Sequence, residues 1–180
     1  MSVGSSLCAM VQLSLLWCFC PPSMAQSKVV SAPRQSIVRK LWEMEVPNDW
    51  VDKGSDQYKT HMMSGDGSKG FYCATWKLES LVKDSSEASA IQKMKSAGEV
   101  GRKGAKGYHW EKLSETRSTA SGVTRYEEDY LDHYHRCRTK TLVLISHGFV
   151  LRADFQDYAF STLKVSNAVF DPLITSCRLR

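Results

Sequence analysis

The sequence predicts a single α+β domain whose sheet is covered on both faces, and three observations carry that prediction. Leu142, Val143, Leu144 and Ile145 are four apolar residues in a row. So short a run, half of it β-branched and bounded by polar residues, reads as a strand buried on both faces. After Ser146-His147-Gly148 the pattern changes to alternation: Phe149, Leu151, Ala153 and Phe155 share one face, and Val150, Arg152, Asp154 and Gln156 the other. Gly148 sits where a hairpin turn needs a residue free to take positive φ. Thr139–Asp157 is therefore expected to be a hairpin at the middle of the sheet. A strand buried on both faces needs a layer on each side.

The first 25 residues stand apart. Met1 to Ala25 carries no charged side chain, Leu7 to Cys20 is mostly apolar, and Ser23-Met24-Ala25 puts small residues at −3 and −1 of a cut before Gln26. That is the pattern of a cleavable secretory leader, shorter than the roughly 20 apolar residues of a membrane span. Export, to a periplasm or the exterior, is the expected destination. Residues 26–36 are polar with Pro33 and read as an extended arm, leaving 37–180 as the domain.

Within the domain, Trp42, Met44 and Val46 alternate with Glu43 and Glu45, which describes a half-buried strand. Pro47-Asn48-Asp49 turns the chain into Trp50-Val51. A looser strand follows over 57–63, then a turn at Ser64-Gly65-Asp66-Gly67. Phe71, Cys73, Thr75 and Lys77 alternate with Tyr72, Ala74, Trp76 and Leu78, and the second, more apolar set is expected to face the core. Asp84-Ser85-Ser86-Glu87 resembles a capping box, and Ala88, Ile91, Met94 and Ala97 continue at helical spacing until Gly98, Gly101 and Gly104. Tyr108–Thr116 and Gly122–His135 read as strands around a Ser-Thr-Ala-Ser-Gly turn, although Tyr126, Tyr130 and Tyr134 also fit helical spacing. Leu163 to Phe170 suggests a short helix stopped by Asp171-Pro172, and Leu173–Cys177 a last strand.

Both ends of the domain carry short motifs with a family resemblance. Trp42–Trp50, WEMEVPNDW, resembles the opening of PsbP/DcrB-like domains, and Phe170–Leu179, FDPLITSCRL, resembles their close, with Cys177 where an aromatic is usual. The order of elements agrees over 37–180. The resemblance implies an α/β/α sandwich built on a mainly antiparallel, twisted sheet. It also implies binding to other proteins, with no catalytic constellation and no cofactor in common.

The net charge is +5, from 24 basic and 19 acidic residues. Lys93, Lys95, Arg102, Lys103 and Lys106 make the strongest basic cluster, yet no aromatics are interleaved for base stacking. A solvated helix face is expected there, with an acidic protein or anionic lipid surface as the alternative and no nucleic acid. Three cysteines follow the leader, Cys73, Cys137 and Cys177; one disulfide plus one thiol, or three thiols, both fit.

Three groups carry candidate chemistry. Ser146-His147-Gly148 is similar to the second signature of histidine phosphatases, but the Arg-His-Gly loop that supplies their nucleophile is missing. A polar hairpin tip is expected instead. His133, His135 and Cys137 alternate, so on a strand they would share a face and, with Asp129 or Asp132, offer Zn²⁺ or Cu²⁺ ligands. Glu127, Glu128, Asp129 and Asp132 form an acidic group among Tyr126, Tyr130 and Tyr134, which suits a recognition surface as well as an ordinary sheet face. The partner-binding residues are expected to be Tyr126, Tyr130, Tyr134 and Arg138.

The resulting reading is an exported, non-enzymatic domain that binds another protein, as an accessory or immunity-type factor. The alternative is a small hydrolase or metal-dependent enzyme using His133, His135 or His147, which requires two of these histidines to converge in one cleft.

Overall fold

In the computed structural model, which describes residues 33–56, 58–104 and 109–180, the hairpin at 139–157 does form the middle of a sheet. The elements are β1 (Arg34–Val38), β2 (Trp42–Pro47), β3 (Val51–Asp52), β4 (Lys59–Met63), β5 (Lys69–Lys77), α1 (Leu78–Leu81), α2 (Glu87–Gly104), β6 (Trp110–Ala120), β7 (Val123–Asp132), β8 (Cys137–Ser146), β9 (Phe149–Asp157), α3 (Leu163–Ser176) and β10 (Arg178–Leu179). The large sheet has the order β3-β4-β5-β9-β8-β7-β6 and is antiparallel throughout. β1, β2 and β10 form a separate three-stranded sheet. The chain from Ala32 onward is one compact unit. The leader expected at 1–25 lies outside the described residues, as does most of the arm expected at 26–36, whose last residues Arg34 to Ser36 belong to β1.

β8 is buried on both faces, as its four apolar residues require. Leu142 and Leu144 enter a large core with Trp42, Met44, Val46, Phe71, Leu151, Phe155, Phe170 and Leu173. Val143 and Ile145 enter a smaller one with Leu81, Ala90, Ile91, Met94, Tyr126 and Val150. The large core lies beneath α3 and the small sheet, and the smaller one beneath α2. The turn between β8 and β9 places His147 at φ +50° and Gly148 at φ +74°, two consecutive left-handed residues whose twist matches the strands they join. Ser121 and Gly122 repeat the device between β6 and β7.

Four local expectations are corrected. On β5 it is Phe71 and Cys73 that enter the large core, whereas Ala74 and Trp76 face α2 and Tyr72 is exposed; with cover on both faces, apolar count does not decide which side is the core. The N-cap of α2 is Ser86, whose hydroxyl accepts from the Ser89 N–H at 3.1 Å, and Asp84 braces that cap by accepting from the Ser86 N–H and the Ser89 hydroxyl. The buried stripe is accordingly Ala90, Ile91 and Met94, with Ala88 and Ala97 outside, and the helix runs on through the glycines to Gly104. Finally, α3 passes through Pro172 instead of ending there. Phe170, Leu173 and Ile174 are all buried on one helical face, and burying them, at about 1.5–3 kcal/mol each, outweighs the roughly 3 kcal/mol that an interior proline costs. The last strand is reduced to Arg178–Leu179, paired with Glu43 and Trp42 of β2.

Among the described residues no helix is long and apolar enough to cross a membrane.

A groove beside helix α2 as the candidate functional site

α2 covers only part of its sheet face. Over Val143, Ile145 and Val150 its contact is apolar, through Ala90, Ile91 and Met94. Further along the same sheet face the side chains turn polar, with Thr139 and Thr141 on β8, Arg152, Asp154 and Gln156 on β9, Tyr130 on β7, Tyr72 on β5 and His61 on β4. An open groove of about 560 Å³ lies there, between these strands and the stretch of α2 around Ala97, Gly98 and Arg102.

The walls are held by two arginines. Arg152 grips Asp154 through Nε and Nη2 at 2.9 to 3.1 Å and reaches across to the Met94 carbonyl of α2 at 3.1 Å. Thr141 donates to the same carboxylate at 2.6 Å. Arg102 lies over the ring of Tyr130, 3.8 Å from its centroid, and 4.8 Å from that of Trp110; such desolvated cation–π contacts are worth about 2 kcal/mol. A Cβ placed on Gly98 would meet Arg102 Nη1 at 3.0 Å and Arg152 Nη2 at 3.4 Å. The glycine leaves room for both guanidinium groups.

The charged groups behind the groove satisfy one another. Tyr126 donates to Glu128, and burial, then the Glu128 carboxylate, pushes its phenol far above the usual range. Glu115 accepts from Lys95 and Lys112 at 2.6 Å each, which hold its carboxyl down at about 2. What remains accessible is the rim, where Tyr72 is 42% and Tyr158 47% exposed, with the His61 ring edge-on to Tyr72 at 6.4 Å.

Of the residues expected to meet a partner, three of four are buried within the fold. Tyr126 and Tyr130 are buried, each 3% exposed, and Arg138 is 1% exposed. Arg138 bonds Asp129 on the opposite sheet face and ties it to α3. Only Tyr134 stands out in solvent. A strand sequence that mixes tyrosines with acids looks the same whether its tyrosines face water or a covering helix, and α2 covers Tyr126 and Tyr130. The groove itself was missed because its residues come from five strands and a helix, brought together only by the sheet order.

The proposed metal ligands do not assemble. His133 and His135 lie in the turn between β7 and β8, not on a strand, so the face shared by alternation is lost. His133 Nε2 sits 3.0 Å from Glu111 and His135 Nδ1 2.7 Å from Asp132. Burial raises the Asp132 carboxyl, but donors from His135 and Tyr134 outweigh it and the net shift is downward. Cys137 turns to its own strand, donating to the Arg138 carbonyl. No group of three or more His, Cys, Asp or Glu side chains among the described residues is arranged to hold a metal. His147 tips the β8–β9 turn, at the far end of the ten-residue β8, about 30 Å from the other two histidines at strand rise. The cleft that the enzyme reading required does not form.

The chain has the PsbP/DcrB-like fold, which its two terminal motifs resemble. No family model and no curated protein matches it in sequence; the likeness is one of structure. The cyanobacterial PsbP, CyanoP, of Synechocystis superposes with a TM-score of 0.62 at 14% identity, over 88% of this chain and 99% of that one. The Ran-binding protein Mog1p of Saccharomyces cerevisiae superposes with a TM-score of 0.53 at 8% identity, over 83% of this chain and 96% of that one.

Proposed function

We propose that this chain is a non-enzymatic protein-binding domain that works after export and takes its partner in the groove beside α2. One observation carries the reading: a concave site whose exposed rim is Tyr72, Tyr158 and His61 over an arginine-bearing floor. Tyrosine and arginine are the residues that concentrate binding energy at recognition surfaces. Because the floor is already internally hydrogen-bonded, the rim supplies contact area while the floor supplies shape. A similar fold serves a Ran-binding protein in yeast, which supports protein recognition as the use of the scaffold and says nothing of the partner here. Export rests on the leader sequence alone.

The test is affinity capture from the envelope fraction of the native cell, with the wild type, a Tyr72→Ala/Tyr158→Ala double variant, and Leu163→Ala on the exposed surface of α3 as control. A stoichiometric partner retained by the control and lost by the double variant is the expected result. A partner indifferent to the double variant would move binding off the groove. Intact mass of the purified protein reads the leader in the same experiment, with Gln26 as the expected first residue.

A further inference from the structure

β6 is the longest strand of the fold and the least protected. It forms one edge of the large sheet, pairing with β7 alone. Ten of its eleven residues are exposed. The opposite edge, β3, is two residues long. Among the described residues, none from Trp110 to Ala120 forms a backbone hydrogen bond to any element but β7. An open edge of this length is a template for another strand.

The pairing to β7 determines which backbone groups are free. The two-residue turn Ser121-Gly122 makes Ala120 and Val123 a hydrogen-bonded pair. Alternation then directs the N–H and C=O of Ser118, Thr116 and Ser114 toward β7. Those of Thr119, Arg117 and Glu115 point outward. Lys112 and Ser114 flank a bulge at Leu113, so the regular free edge runs from Ser114 to Ala120.

That edge is complementary to itself. Placed antiparallel about a two-fold axis at Thr116, it sets Glu115 opposite Arg117 of the second copy and Arg117 opposite Glu115. Ser114 then faces Ser118, and Thr116 faces Thr116. Both charged pairs fall at outward-pointing positions, where the backbone hydrogen bonds form, and on the same sheet face, so registry and charge agree. Opposite charges directly across a ladder stabilise it, and like charges oppose it. Arg117 makes no ion pair or hydrogen bond among the described residues, whereas Glu115 is held ionised by Lys95 and Lys112. Charges on an edge ordinarily discourage pairing; here their order selects one partner and one register.

We propose that the chain dimerises reversibly through β6, joining two large sheets into one continuous antiparallel sheet around Thr116. A ladder this short buries far less than the ~1,600 Å² of a standard interface, so the dimer forms in a concentration-dependent manner.

Sedimentation of the purified protein over a concentration series should show the mass rising from that of one chain toward two. Arg117→Glu places Glu opposite Glu, and Arg117→Pro removes an outward N–H; each should hold the protein at one chain with an unchanged circular dichroism spectrum. Glu115→Arg should also be monomeric alone, and should form a heterodimer when mixed with Arg117→Glu, since every crossing pair is then Arg with Glu. Mild oxidation should cross-link Thr116→Cys to itself, because residues facing one another at a non-hydrogen-bonded position lie about 4.5 Å apart at Cα, within the disulfide range. Ser118→Cys, which faces Ser114, should not cross-link to itself. A wild type that stays at one chain throughout, a dimer indifferent to both Arg117 variants, or a Thr116→Cys that fails to cross-link overturns the proposal.

Discussion

Arg138 lies against Asp129 beneath α3, with Nε 3.0 Å from Oδ1, and its remaining nitrogens reach the Leu163 carbonyl at 3.1 Å and Asn167 Oδ1 at 3.2 Å. Both charged side chains are almost fully buried. One arginine thus joins the sheet to the first turns of the helix that roofs the larger core. Such a pair is expensive to break from one side only, since the survivor is left charged in an apolar place. Arg138→Met alone should cost about 3–5 kcal/mol of stability, and adding Asp129→Leu should recover most of it. Urea denaturation of the three proteins reads this directly. A single variant losing less than about 1 kcal/mol would return Arg138 to the surface, where its sequence context first suggested it.

Glu115 makes a prediction about acid. Its folded carboxyl is depressed to about 2 by Lys112 and Lys95, below the ordinary value of 4.5. Since the folded form binds the proton less readily than the unfolded one, the contribution is complete above pH 4.5 and fades as pH falls toward 2. Side-chain carbonyl chemical shifts of Glu115 should therefore titrate near pH 2 in the wild type and move up toward 4.5 in Lys95→Met/Lys112→Met. Because the group is partly exposed, the shift should shrink in high salt. A titration near 4.5 in the wild type would mean that the two lysines do not hold the carboxylate in solution.

The sequence made the centre of the fold legible, and the reason is physical. Leu142–Ile145 has one reading because four successive apolar residues cannot alternate, and His147-Gly148 has one because few residues take left-handed φ twice in succession. WEMEVPNDW and FDPLITSCRL, far apart in the chain, meet in space: Glu43 and Trp42 pair with Arg178 and Leu179, and the Ser176 hydroxyl accepts from the Glu45 N–H at 3.0 Å. Their joint resemblance to one fold reflects that contact. Pro172 misled because the burial that overrides it comes from β2 and β8, which local pattern does not contain. The burial of Tyr126, Tyr130 and Arg138 has a related cause: each polar or charged side chain has a partner within the fold, Glu128, Arg102 and Asp129, which local pattern does not contain. The groove was invisible because no two adjacent residues of any strand both line it.

Cys73, Cys137 and Cys177 are all thiols. Burial pushes Cys177 up to about 12 and Cys73 well above the ordinary thiol value, the nearby Cys177 adding to the latter shift; burial also raises Cys137. A thiolate is the reactive species, so neither Cys73 nor Cys177 should react in the folded chain. Alkylation at pH 8 should modify them only at the rate of global unfolding, while partly exposed Cys137 reacts first and slowly. Rapid modification of Cys177 without loss of structure would show that α3 opens locally, away from β2.

The β8–β9 turn gives two substitutions of opposite sign at neighbouring positions. His147 holds φ +50° and Gly148 φ +74°. Asn-Gly is the preferred pair for such a turn, so His147→Asn should stabilise the chain by about 0.5 kcal/mol, even though it gives up the 2.9 Å contact between Ser146 Oγ and His147 Nδ1. Gly148→Ala meets no atom within 4 Å, so its whole effect is backbone strain, a loss of about 1–2 kcal/mol. Thermal melts should show the first variant above the wild type and the second below it. Capture of the partner should be unchanged in both, because the turn lies at the end of β8 remote from the groove. Loss of the partner in His147→Asn, in a protein that melts higher than the wild type, would instead make the histidine tip part of the binding surface.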